Sequence, residues 1–156
     1  MTTLVSTVKI RLADIGLSVS GVKRAYANAP QSLPDSDLPI LAIFTGSTTL
    51  APLGQTLAEE TRTYFLRLYV APVQAGYDGE AEKKVEPFLT SIRAAYLSHP
   101  LLGNGAKDSA LPFVTRADWG GDGGVMVLPY AGQNYIGAEF RVNVTSLVPI
   151  GVAAYE

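Results

Sequence analysis

The residues best suited to chemistry are two aspartates set among glycines in ADWGGDGGVM, residues 117–126. Carboxylates so spaced suggest a cation or a phosphate-binding turn. Tested as a calcium loop with Asp118 at position one, the run places Asp122 at position five and Gly123 at position six, where such loops turn sharply. Position three is then Gly120, and position twelve is Pro129 where a bidentate glutamate is needed, so too few oxygens remain. The run also fails as a dinucleotide fingerprint: GGDGGVM departs from G-x-G-x-x-G and leads into a strand-like run, not a helix N-terminus. A glycine-rich turn feeding a hairpin is the expected structure, the glycines supplying positive φ and the aspartates bonding their own backbone.

Other templates fail in turn. His99 is the only histidine, so no two-histidine metal site or relay fits within one chain; at an expected helix end, its charged form would favour the helix dipole. GLSVS at residues 16–20 misses the G-x-S-x-G elbow at its last residue, and GSTTLAPLG has no lysine to reach a phosphate. The pairs Glu59 with Glu60 and Asp35 with Asp37 are expected in polar loops, both members solvated and ionised, with nothing to raise one pKa for acid catalysis. The rival from another class is a small hydrolase or ligand-binding module around Asp118, Trp119 and Asp122, where the indole would stack a sugar or base. An indole covering a hairpin is the simpler account. No catalytic, cofactor or metal residue is assigned.

Composition limits the partners. Charged residues are 17% of the chain, against roughly 25% for an ordinary soluble domain, and the apolar share is 47%. Scarce charge suits faces that are desolvated against other subunits, although a small neutral monomer fits composition alone equally well. A net charge of −2, with basic residues dispersed from Lys9 to Arg141, argues against tight phosphate binding by one subunit. The absence of cysteine excludes disulfides and thiolate nucleophiles and agrees with a reducing compartment. The N-terminal residues carry no signal-peptide pattern, and no window reaches eighteen apolar residues. The tripeptide NVT at Asn143 is then a chance match to a glycosylation acceptor.

These residues must be positioned by a small set of elements. Leu4, Val8, Leu12 and Ile15 recur at helical spacing, predicting a helix over residues 3–15 capped by Thr2 or Thr3 and stopped at Gly16. A short extended piece follows at residues 21–27, then a Pro-rich loop, NAPQSLPDSDLP. PILAIFT is apolar on both alternating sides, as in a strand covered on both faces. Residues 46–61 are expected as a long exposed hairpin arm. In RTYFLRLYVAP, Tyr64, Leu66, Leu68 and Val70 form the core side, while Phe65, Arg67 and Tyr69 face the other way with aromatic surface to spare. A second helix is predicted at about 79–98, acidic in its first turn near Asp78, with Pro87 either kinking it or starting a new helix. Strands are predicted at residues 113–115, at VMVLPY and at YIGAEFRVNVTSLV, the last placing Ile136, Ala138, Phe140, Val142 and Val144 on one side. The whole is a single domain over residues 1–156, of α+β class: a mixed, mainly antiparallel sheet of four to five strands packed with two helices, plus the arm and an apolar tail at 149–156.

In order and pattern, DLPILAIFTG, RTYFLRLYVAP, EPFLTSIRAAYLSHP and GDGGVMVLPYAGQNYIGAEFRVNV resemble the tail terminator proteins of long-tailed, siphovirus-type bacteriophages and the related small neck proteins. The likeness spans nearly the full chain and is strongest in the final Gly-rich hairpin through Tyr130 and Gly132. It implies a structural virion protein at the head-proximal end of the tail, assembled in the bacterial cytoplasm. The implied assembly is a hexameric ring that ends tube polymerisation and docks the head connector, with genome DNA passing through unbound. No catalytic residue or cofactor carries over. The apolar residues without an internal partner then become the candidate subunit or tube interface: Leu50, Leu53 and Leu57 in the arm, Phe65 and Tyr69 on the second sheet face, Ile150 and Tyr155 in the tail. The alternatives are another head–tail joining protein or a tail tube subunit.

Overall fold

The computed structural model describes residues 4–73, 79–102 and 113–149. Helix α1, Leu4–Leu17, leads to a short strand β1, Arg24–Tyr26. Two long strands follow, β2 at Ile40–Pro52 and β3 at Leu57–Pro72, then helix α2 at Gly79–Leu97 and a second long pair, β4 at Val114–Tyr130 and β5 at Gln133–Pro149. They form one five-stranded sheet in the order β1-β2-β3-β5-β4, with β1 parallel to β2 and every other pair antiparallel. The α+β class and the mainly antiparallel sheet are as expected.

Both helices lie on one face. Val8, Leu12 and Ile15 of α1, with Val85, Ile92 and Tyr96 of α2, bury against Leu41 and Ile43, Leu66 and Leu68, and the even-numbered positions of β5 from Ile136 to Val144. Period-two alternation in the strands and helical spacing in the helices produce this core directly. α1 does not stop at Gly16 as expected. That glycine lies inside the helix, and the Leu41 side chain occupies the space its Cβ would take, so its small size serves close approach. The expected caps Thr2 and Thr3, and Asp78 before α2, lie outside the described residues. Pro87 starts no new helix: α2 runs unbroken through it, with its ring on the exposed side. There, water can reach the carbonyl that Pro87 leaves without a backbone donor.

Among the described residues, the opposite face is covered only at one end. The Pro-rich loop folds beneath the sheet and sets Leu33 and Leu38 against Ile40, Ala42, Tyr69, Leu128 and Tyr135, a second, smaller core. Tyr130 Oη donates to the carbonyl of Pro30 and Tyr135 Oη to that of Leu33, pinning the loop from two strands. β2 is therefore buried on both sides over its first four residues, as its unbroken apolar run predicts. Beyond that end, the face is a ladder of cross-strand pairs. Arg67 Nε donates to Glu139 at 2.8 Å, Thr63 Oγ1 donates to Asn143 at 2.8 Å, and the hydroxyls of Thr61 and Thr145 lie 3.0 Å apart.

Candidate interaction surface

The glycine-rich run is not a turn. Val114 and Thr115 of the strand expected at 113–115, and VMVLPY, expected as a separate one, belong to the single 17-residue strand β4, which Phe113 precedes; the run between them is its middle, paired with β5 on both sides of its bulges. The strand keeps its pairing by bulging, with register shifts between Trp119 and Gly121 and between Asp122 and Val125; Gly121 and Gly124, at φ of +95° and +77°, supply the left-handed positions. The hairpin turn falls beyond the run, at Ala131 and Gly132, both at positive φ and flanked by the pair Tyr130 and Gln133. Two consecutive positive-φ residues make the tight turn whose twist matches its strands.

Within the bulged strand, Asp122 Oδ1 accepts from the Gly124 N–H at 2.8 Å, the backbone role expected of it. Asp118 pairs instead with Arg116 Nε at 2.9 Å, more than half exposed. Trp119 turns inward, stacked at 6.2 Å on Tyr96 and 5.7 Å from Phe140, and so closes the helix-side core. The two carboxylates and the indole therefore do not converge. Among the described residues, no three His, Cys, Asp or Glu side chains gather closely enough to hold a metal. His99 lies just past α2 with Nδ1 2.8 Å from the Ala95 carbonyl, at the helix end as expected. Glu59 and Glu60 are in β3 and not in a loop as expected, and Glu60 is bridged to Arg62 at 3.3 Å. Asp35 and Asp37 sit on a single 3-10 turn in the Pro-rich loop, where Asp35 lines a shallow cleft with Val73, Gln133 and Asn134.

The arm stands uncovered among the described residues. Leu50, Leu53 and Leu57 are 57%, 58% and 43% exposed, and the Leu53 N–H to Leu57 carbonyl bond, 2.9 Å, closes its tip. It differs from the expected lone hairpin in one respect: β5 pairs with β3 all the way from Tyr135 to Pro149, so three strands run to the tip. β5 holds this register because its apolar alternation continues to Val144 and beyond. A three-stranded arm is stiffer than a hairpin, which alone is marginally stable.

Of the other interface candidates, Phe65 is half-buried on the outer face. Tyr69 is a correction. It faces outward from the helices as its parity requires, but it is 0% exposed beneath the Pro-rich loop, edge-on to Tyr130 at 5.3 Å and to Tyr135 at 5.7 Å. Its hydroxyl makes no hydrogen bond in this geometry. Burial pushes its pKa up to about 12, with the Arg67 charge pulling the other way. The loop was expected only as a connector; its signal was Leu33 and Leu38, apolar residues between prolines with no periodicity of their own. Ile150 and Tyr155 lie outside the described residues. Phe44, which the apolar run PILAIFT does not single out, sets its ring 4.5 Å below the Arg67 guanidinium and holds it toward Glu139. No family model matches the chain, and no curated protein matches its sequence.

Proposed function

We propose that this chain is a structural protein of a phage tail, a terminator that forms a ring on the head-proximal end of the tail tube, stops its growth and offers a docking surface to the head connector. The observation that carries the reading is the arm: three strands extended past both helices and tipped by three exposed leucines. A rigid apolar projection on a sheet of low charge suits burial against an adjoining subunit. A contact between unlike faces, repeated around an axis, closes a ring when the rotation allows it, and six copies are the number that the family resemblance implies. The ring would stand in the virion after assembly in the bacterial cytoplasm, touching tube protein below and connector above. With a net charge of −2, each subunit would let the genome pass without holding it.

The test is removal of the arm without removal of the fold. Residues 50–60 replaced by Asn-Gly would join Thr49 to Thr61, a paired position, through a two-residue turn. The shortened protein is expected to stay folded and monomeric and to leave tail tubes uncapped and overlong by electron microscopy. Capped tails of normal length from that variant would refute the reading. Electron microscopy of the purified full chain separates the nearest alternative, a tube subunit, which extends into polymers where a terminator stops at a ring.

A further inference from the structure

The two halves of β2 do not share one alternation. Up to Thr45 its odd-numbered residues face the helices, with Leu41 and Ile43 in the main core. Their partners in β3 are the even-numbered Leu68 and Leu66, followed by Tyr64, and the same side of β3 continues through Arg62 and Glu60. Between the pairs Thr45 with Tyr64 and Thr48 with Arg62, β2 advances three residues while β3 advances two. Gly46 and Ser47 thus stand opposite Thr63 alone, as a bulge. A slip of one residue turns every later side chain to the other side. Thr48 and Leu50 therefore pair with Arg62 and Glu60 on the helix side, where unbroken alternation would have sent Leu50 to the outer side with Phe44.

The bulge is held from both sides. On the helix side, Arg62 Nη1 donates to the Gly46 carbonyl at 3.0 Å, while its Nε and Nη2 each lie 3.3 Å from Glu60 Oε1. The Arg62 and Glu60 side chains are only 22% and 20% exposed, so water competes little for these charge-assisted bonds. On the outer side, the Phe65 ring occupies the space a Gly46 Cβ would take, and the Thr63 carbonyl crowds the same position. One guanidinium thus ties a carbonyl of β2 to a carboxylate of β3 at the point where body meets arm. Beyond it, Thr48 Oγ1 donates to the Thr61 carbonyl at 3.2 Å and regular pairing resumes to Pro52.

We infer that Gly46, Ser47 and Arg62 form a joint that fixes the aim of the arm. The bulge sets the side on which Leu50 is presented, and Arg62, a positioning residue, locks the bulge at one angle to the body. An arm already held in its docking direction gives up little freedom on contact, which strengthens binding without adding a contact. The joint deepens the ring reading by saying how the arm is presented, and depends on that reading only for what the arm meets.

The chain has no native cysteine, so spin labels on Gln55→Cys at the arm tip and Thr90→Cys on the exposed side of α2 report the angle, measured well below the melting temperature. With Arg62 in place, one narrow distance distribution is expected. Arg62→Met keeps most of the side-chain length and removes its donors; it should broaden the distribution and lower the fraction of capped tails roughly tenfold, as loss of a hydrogen bond to a charged group implies. Glu60→Gln joined to Arg62→Met removes the stranded carboxylate and should broaden it equally while melting as the parent does. Deleting Ser47 keeps the pairs on either side and removes the bulge, so the distribution should move to a new mean. Parent distance and width in both Arg62 variants, or a parent mean without Ser47, would overturn the inference whatever the tails do. Broadened distances with tails capped as before would overturn the part given to Arg62 in docking. That outcome differs from failure of the ring reading, in which the protein lacking the arm altogether still caps.

Discussion

The sheet ends in two long edges that are treated in opposite ways. β4, on one side, is bent by three register shifts, kinked at two left-handed glycines and studded with Arg116, Asp118 and Asp122. β2, on the other, has one register shift, between Thr45 and Thr48, and no charge. Bulges and charges spoil the flat, apolar geometry that a foreign strand needs, so β4 is closed to pairing while β2 is open. The difference leaves β2 as the edge on which a further strand meets neither charge nor a left-handed glycine. It also gives the aspartates of the glycine-rich run a purpose as guards of an edge.

A second contrast is between the sealed and open parts of the outer face, and it yields the largest expected effect. Tyr69→Asp places a carboxylate inside the small core with no partner for its charge. The variant is expected to lose about 4 kcal/mol or more and to be unfolded or aggregated on expression, as followed by circular dichroism. The same change at half-buried Phe65, on the open ladder beside Arg141, should cost less than half as much. Equal losses at both positions would show the outer face to be covered along its whole length.

Thr49→Lys tests the open edge alone. Its side chain is exposed and its partner Thr61 does not contact it through a side-chain bond, so the melting temperature should hold. A lysine on an edge opposes strand addition, and association should weaken by roughly tenfold, read by sedimentation or native mass. The complementary change strips the guards from β4: Arg116→Thr, Asp118→Thr and Asp122→Asn, the last keeping an acceptor for the Gly124 N–H. Loss of the exposed ion pair should cost under about 1 kcal/mol, yet light scattering should reveal new concentration-dependent association. A triple variant that stays as disperse as the parent would mean that the bulges alone protect this edge.

The fold was legible where periodicity is local and the site where it is not local was missed. Alternation placed β3 and β5 correctly because each buries one face against helices; the same rule assigned Tyr69 to the right face but could not foresee a cover supplied by Leu33 and Leu38 from far along the chain. Glycine content misled in β4. A run of glycines reads as a turn when each residue is judged alone, whereas pairing with the strongly alternating β5 keeps it extended and spends the glycines on bulges. The arm was visible in its small and polar residues; its third strand required knowing the β3 to β5 register, which no local pattern reports.

The smallest expected effect is pH dependence. Tyr64 and Tyr69 are both pushed up to about 12, chiefly by burial, and burial raises Tyr96, Tyr130 and Tyr135 as well. In the unfolded chain tyrosine ionises near 10. The folded state thus holds these protons longer, so its stability is intact below pH 10 and declines as pH rises from about 10 through about 12. All five tyrosines lie in the two cores, and none is in the bare edge of β2, residues 43–52. Raising pH should therefore leave association unchanged until the cores themselves open, with tyrosinate absorbance, loss of ellipticity and dissociation arriving together. Dissociation well below pH 10, with ellipticity intact, would place a titrating group at the contact and remove the sharp division between a sealed body and an uncharged edge.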